Sequence, residues 1–146
     1  MALLEIKKFK DKVLREKAEE VKEITPEIKE LIFNMKETME NAQGVGLAAN
    51  QVGVSKRVIV VETSKEPVGF INPEIIAKSK QKETQEEGCL CLPGVFLKIK
   101  RSKIVEIKAL DMNGHKVEIT AEGLLARIFQ HEIDHLNGIL ITDRIS

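Results

Sequence analysis

The sequence contains no tryptophan and no tyrosine, and only two cysteines among its 146 residues. Those two, Cys89 and Cys91, stand two positions apart, too close for an ordinary disulfide, so cysteine usage gives no sign of an oxidising compartment. Neither sign of charge is in excess. Lys plus Arg and Asp plus Glu number 23 each, which removes bulk charge as a reason to bind nucleic acid or acidic lipid. No run approaches the ~20 apolar residues needed to span a bilayer, and the N-terminal MALLEIKKFKDK lacks an apolar core of signal length. Internal repeats, low-complexity tracts and Pro/Gly/Ser linkers are missing too. The expectation is a single soluble domain over residues 1–146, cytoplasmic, with no membrane partner and no direct nucleic-acid binding. Abundant Lys and Glu beside the absent Trp and Tyr resemble thermophile usage.

What is present is a series of short periodic segments. Thr25-Pro26 is a helix start, with Thr as N-cap and Pro at the first helical position. Ile28, Leu31, Ile32, Met35 and Met39 follow as one apolar stripe, and the helix should stop before Gly44. Residues 57–61 (RVIVV) read as a buried strand, and residues 68–71 as a second, closed by Asn72-Pro73. Residues 103–110 and 116–120 flank an Asn113-Gly114 hairpin signal. Thr120 can cap a last helix from about Ala121 to Leu136, ended by Gly138. Strands lying between one early and one late helix argue for an α+β fold rather than a regular βαβ array.

The last helix carries FQHEIDHLNG (129–138). His131 and His135 are one turn apart and face the same way, so both imidazoles can reach one metal ion. Leu124 and Ile128 continue that face, which reads as apolar and buried. Glu132 is rotated by ~100° from His131, where a general base for an activated water belongs. Two histidines leave the site one ligand short. The longer HExxHxxGxxH zinc pattern fails because Ile141 stands where its last His must be. Only residues 136–146 follow His135, with no helical pattern to bring a glutamate, and Asp143 is a remote candidate. The third ligand should therefore come from upstream: His115, Cys89, Cys91 or the Glu86-Glu87 pair. His115 follows the Asn-Gly turn and reads as an exposed hairpin residue. In an extended segment Cys89 and Cys91 point to the same face, so periodicity does not choose between them.

Residues 43–53 (QGVGLAANQVG) leave a bare backbone at Gly44 and Gly46 that an extended peptide could pair with. Gln51 would then present a neutral amide able to donate to a developing oxyanion.

Taken in order, GVGLAANQ (44–51), EGCLC (87–91) and QHEIDHLNG (130–138) resemble the three motifs of the peptide deformylase family, GxGLAAxQ, EGCLS and QHExDHLxG. VLREKA (13–18), INPEI (71–75) and GLLAR (123–127) extend the resemblance over nearly the whole chain. The fold so implied packs mixed or antiparallel β-sheets around the C-terminal HExxH helix, with a further N-terminal helix. The resemblance implies Cys89, His131 and His135 as metal ligands and Glu132 as catalytic acid/base. It implies Gln51 and the Leu90 backbone N–H as oxyanion donors. Gly44, Val45 and Gly46 match the edge that binds the peptide, and Val45, Leu124 and Ile128 the pocket for a methionine side chain. The implied reaction hydrolyses the N-formyl group from the initiator methionine of new chains and releases formate. A metal-bound water attacks the formyl carbon, with Glu132 as base and then acid. The cofactor is one divalent ion, Fe2+ in the cell, with Zn2+ or another divalent ion able to stand in. The partners are N-formylmethionyl ends of nascent chains, with a possible transient ribosome contact.

The chain also departs from the family pattern. Position 91, usually Ser, is Cys here, and FKDK replaces the usual proline-containing lead-in before VLR. The chain ends at DRIS, without the C-terminal helix that longer members use at the ribosome. A metallopeptidase with the same water-activating logic, and a non-catalytic fold with a structural metal, are the competing readings.

Overall fold

The computed structural model describes residues 3–145. Along them run α1 (Pro26–Asn41), β1 (Gly46–Ala48), β2 (Val58–Glu62), β3 (Pro67–Lys78), β4 (Lys82–Cys89), β5 (Leu92–Ser102), β6 (Ile104–Leu110), β7 (Lys116–Glu122) and α2 (Gly123–Leu136). Short 3-10 turns at Lys12–Arg15, Ala49–Val52 and Ile141–Asp143 complete the order. The fold is α+β, as the sequence suggests, and all its strand pairings within the sheets are antiparallel. Five strands form one sheet in the order β1-β2-β3-β6-β7, while β4 and β5 make a separate two-stranded hairpin.

The sheet lies between the two helices, and β2 shows why. Its VIVV run has no polar alternation, so both faces must be covered. Ile59 and Val61 pack with Phe129, Ile133 and Leu136 of α2, while Val58 and Val60 pack with Ile32, Met35 and Met39 of α1. All four β2 side chains are fully buried, each contributing roughly 1.5–3 kcal/mol from removal of apolar surface from water. Phe70 on β3 meets Phe129 on α2 with ring centroids 5.3 Å apart and planes tilted by 58°.

α1 begins as expected, the Thr25 hydroxyl accepting from the Ile28 N–H at 3.3 Å. Gln43, at φ 58°, rather than Gly44, takes the left-handed conformation after it. The Gly44 N–H then closes on the Met39 carbonyl at 2.9 Å and the chain passes into β1.

Two expectations need correction. β3 does not close at Asn72-Pro73. Asn72 adopts φ 53° within a register shift between Ile71 and Glu74, and the strand continues to Lys78. The cause is a clamp from far along the chain: the Asn72 amide donates to the Val21 carbonyl and accepts from the Val21 N–H, both at 2.8 Å. Thr120 does not cap α2, because the β6–β7 ladder runs on to the Ile104–Glu122 pair. Gly123, at φ 59°, ends the strand and opens the helix instead. The β4–β5 hairpin gave no sequence signal, since Lys82–Glu86 is exposed and polar throughout. The Asn113-Gly114 reversal is present, with Gly114 at φ 82° and Asp111 Oδ1 accepting from the Asn113 and His115 N–H groups at 2.9 Å each. Among the described residues no helix is long and apolar enough to cross a membrane.

Candidate metal centre and active site

The i, i+4 spacing on α2 places the His131 and His135 rings with centroids 5.0 Å apart. The end of β4 brings Cys89 against them, its Sγ 3.2 Å from His135 Nε2. One donor atom from each of Cys89, His131 and His135 lies within 4.8 Å of the others. The chemistry of this trio fits a divalent ion. Glu87 Oε1 holds His131 Nδ1 at 2.9 Å, which leaves Nε2 as the free donor. Burial, reinforced by His131, pushes the His135 pKa far below its ordinary value, so its imidazole is neutral with a lone pair to give. The hydrogen bond to Cys91, and then burial, push the Cys89 thiol up. A cation at this position is what would hold it as the ligating thiolate.

Glu132 follows His131 on the helix and is 4% exposed. Its Oε2 lies 4.0 Å from His131 Nε2, and its Oε1 is buried with no hydrogen-bond partner. Burial raises its pKa to about 7, the range in which a carboxyl can both take and return a proton. Gly46 makes room for it. A Cβ at position 46 would lie 2.5 Å from Glu132 Oε2 and 2.9 Å from Ile128 Cγ2, so glycine alone lets β1 come this close. Gln51, on the turn after β1, has its Oε1 taken by the Ala48 N–H at 2.8 Å, and this aims Nε2 at Cys89 Sγ, 3.5 Å away.

These groups share one cleft of about 430 Å³. Gly44, Val45, Gly46, Gln51, Cys89, Leu90, Leu124, Ile128, His131 and Glu132 all line it, and His135 sits directly behind, 1% exposed. The site residues that the family resemblance implies are therefore brought to one place. β1 forms one end of the five-stranded sheet, paired among the described residues only with β2, so its outer side faces the cleft as an open edge.

Two readings of the helix face change. Leu124 is 64% exposed at the cleft mouth, so the face is not apolar and buried throughout. Arg127, one turn before His131, shares it. The other candidate ligands lie elsewhere: His115 is exposed in the β6–β7 loop, and Asp143 pairs with Arg15 at 2.5 Å.

Glu87, weighed from the sequence as a ligand, instead holds the candidate ligand His131. It receives Arg101 through Nε at 2.9 Å and a terminal nitrogen at 3.0 Å, and Arg127 at 2.6 Å, besides His131. Burial alone would raise the Glu87 carboxyl, but the hydrogen bonds from His131 and Arg101 outweigh it and hold the pKa down at about 2. Arg101 also reaches Asp134 at 2.5 Å, and Arg127 ties the hairpin to α2 through the Ile99 carbonyl at 3.0 Å and the Glu83 carbonyl at 2.6 Å. Sequence reading missed both arginines. The available signals were the i, i+4 spacing of Arg127 and His131, and the period-2 spacing of Glu87 and Cys89.

The sequence matches the family described as polypeptide deformylase over residues 3–146. A peptide deformylase of Thermodesulfovibrio yellowstonii is 55% identical over 151 residues, covering 100% of this chain and 91% of the relative. The crystal structure of peptide deformylase from Thermotoga maritima superposes with a TM-score of 0.98 at 46% identity, covering 100% of this chain and 99% of that one. A Met-Ala-Ser-bound class I type b peptide deformylase from Acinetobacter baumannii gives 0.93 at 36% identity, with 99% of each chain covered. On a family match that runs almost from end to end, and on relatives identical at about half of all positions, this chain belongs to the polypeptide deformylase family.

Proposed function

We propose that the cleft receives the formylated N-terminus of a newly made peptide, with Cys89, His131 and His135 as the metal donors and Glu132 as the acid/base. The chain is a metal-dependent hydrolase that removes the N-formyl group from an initiator methionine and releases formate. What carries the assignment of roles is one juxtaposition: three donor atoms within 4.8 Å of one another, with a buried carboxyl beside them in the lining of one cleft.

A divalent ion on these donors supplies Lewis acidity, which lowers the pKa of a water from ~15.7 toward ~7. Glu132 takes the proton of the attacking water and returns it to the leaving amine. Gln51 Nε2 and the Leu90 backbone N–H donate to the oxygen on which negative charge develops, and such a donor is typically worth ~3 kcal/mol. Gly44, Val45 and Gly46 align the peptide as an added strand on the open edge of β1. Val45, Leu124 and Ile128 enclose the methionine side chain. Their differing exposure, 48%, 64% and 6%, grades that pocket from an open mouth to an apolar floor. A formyl carbon bears only hydrogen, so a tight site beside the donors admits it and rejects bulkier acyl groups.

The native ion is Fe2+, with Zn2+ or another divalent ion able to occupy the same donors, since one thiolate and two imidazoles suit both. Anaerobic purification followed by metal analysis tests this. N-formylmethionine ends arise where chains are made, so the working compartment is the cytoplasm.

Glu132→Gln in the full chain tests the assignment. It is expected to keep its metal while formate release from formyl-Met-Ala-Ser falls by about 10²–10⁴. Undiminished release by the variant sinks the role of Glu132. Cleavage of the Met-Ala bond by the wild type would instead identify a metallopeptidase.

A further inference from the structure

Cys91 takes no part in the chemistry above, yet its sulfur lies 3.0 Å from that of Cys89. In an extended strand, residues at i and i+2 share a face but stand about 6.6 Å apart. Here the chain reverses: β4 ends at Cys89, β5 begins at Leu92, and Cys89 pairs directly with Leu92. The reversal draws together two thiols that looked too close in sequence to bond. Cys91 is 1% exposed, packed with Leu14 and Leu140, and its carbonyl is held by the Phe9 N–H at 2.8 Å. Cys89 lines the cleft. A small oxidant entering the cleft thus meets Cys89 first, with Cys91 fixed behind it.

We propose that Cys89 and Cys91 form a reversible redox pair, in which Cys91 resolves an oxidised Cys89 as an intramolecular disulfide. The oxidant is hydrogen peroxide. Cys89 sulfur attacks one peroxide oxygen, the O–O bond breaks, and Cys89 becomes a sulfenic acid. The departing hydroxide leaves as water with the Cys89 proton, or with a proton from solvent where an ion already holds Cys89 as the thiolate. Cys91 sulfur then attacks Cys89 sulfur; the S–S bond forms, the S–O bond breaks, and the hydroxyl leaves with the Cys91 proton as a second water. Two thiols lose two electrons, and one peroxide is reduced to two waters.

Without a resolving thiol, sulfenic acid proceeds to sulfinic acid, which thiol reductants do not reverse. Serine, usual in the family at position 91, cannot resolve it. The disulfide also removes a donor from the trio, so the ion leaves until the pair is reduced. That last consequence rests on the proposed role of Cys89 as a metal donor, whereas the thiol chemistry does not.

The test compares the Zn2+-loaded full chain with Cys91→Ser, both treated with a small excess of hydrogen peroxide. Zn2+ is chosen because Fe2+ itself reduces peroxide. Free thiols, intact mass, non-reducing electrophoresis and released Zn2+ are followed, then measured again after dithiothreitol. Before treatment both proteins should release formate at similar rates. The wild type should lose both thiols together and the mass of two hydrogens, run as a single chain and release its Zn2+. Reduction should restore both thiols and Zn2+ binding. Cys91→Ser should gain oxygen at Cys89, release its Zn2+ and recover neither. Oxygen gained at Cys89 in the wild type with the Cys91 thiol intact, or a chain-to-chain disulfide, overturns the proposal. An internal disulfide that leaves Zn2+ bound supports the pair and counts instead against Cys89 as a metal donor.

Discussion

Gln51 reaches the Cys89 sulfur through its amide nitrogen at 3.5 Å because its amide oxygen is already held by the Ala48 N–H at 2.8 Å. The backbone thus sets which end of the amide faces the chemistry. Gln51→Glu keeps an acceptor for Ala48 and removes the donor from the cleft. Its kcat for formate release should fall by about 10²-fold or more, with KM little changed, as when an oxyanion donor is lost. A wild-type kcat would remove Gln51 from that role.

Gly46 and Gly44 make a matched pair for testing close approach. Gly46→Ala drives a Cβ to 2.5 Å from Glu132 Oε2 and 2.9 Å from Ile128 Cγ2, so Glu132, the proposed acid/base, must move. Gly44→Ala meets first the Leu90 Cδ1 tip at 2.9 Å, the end of a flexible side chain. Displacement of a catalytic group by ~1 Å costs on the order of 10² in rate. Gly46→Ala should show that loss in kcat, and Gly44→Ala a much smaller one. Equal losses would mean that the bare backbone matters for the peptide rather than for Glu132.

How far the sequence spoke varied with the kind of signal. α1, β6, β7 and α2 are legible because burial imposes a period on their side chains, as the Ile32–Met35–Met39 stripe shows, and β2 because burial on both faces leaves the unbroken VIVV run. β4 is not, because its exposed polar residues obey no such constraint. The continuation of β3 past Asn72-Pro73 depends on a clamp to Val21, 51 positions away, which no local window contains. The trio of donors was legible only in part. Spacing gave the histidines, motif order pointed to Cys89, and the Glu87–Arg101–Arg127 cluster stayed hidden because its members meet only after the hairpin docks on α2. The Cys89–Cys91 contact stays hidden for a different reason: the spacing alone reads as an extended segment, and the chain turns there instead.

Removal of the ion should affect stability as well as rate. A ligand bound to the folded state alone stabilises it by RT ln(1 + [L]/Kd), about 2.7 kcal/mol at 100 times Kd, which is several degrees in Tm for a chain of this size. Chelation should abolish formate release and lower Tm, and added Zn2+ should raise Tm in a concentration-dependent way. Cys89→Ser should weaken that response. A Tm indifferent to chelator and to Zn2+ would contradict the donor assignment.

Glu87 offers a test through acid stability. Its carboxylate faces Arg101, Arg127 and His131 at 5% side-chain exposure; burial would raise its pKa, but His131 and Arg101 outweigh that and hold it at about 2 against an ordinary value of 4.5. A folded-state pKa below the unfolded one means that the unfolded chain binds the proton more readily. The contribution of Glu87 is therefore complete above about pH 4.5 and is lost as pH falls toward about 2. Glu87→Gln abolishes this titration and leaves two buried guanidinium groups without their shared counter-charge. Breaking a buried pair from one side typically costs ~3–5 kcal/mol. The variant should therefore be less stable at neutral pH, and the gap between the two proteins should narrow as pH drops through that window. Urea unfolding of the metal-free proteins across the acid range reads both effects, and parallel curves would show that Glu87 is not held as its contacts imply. A separate readout at neutral pH concerns His131 alone. Loss of the charged partner on Nδ1 should weaken Zn2+ binding by about 10–100-fold, so unchanged affinity would reduce Glu87 to a structural counter-ion for the arginines.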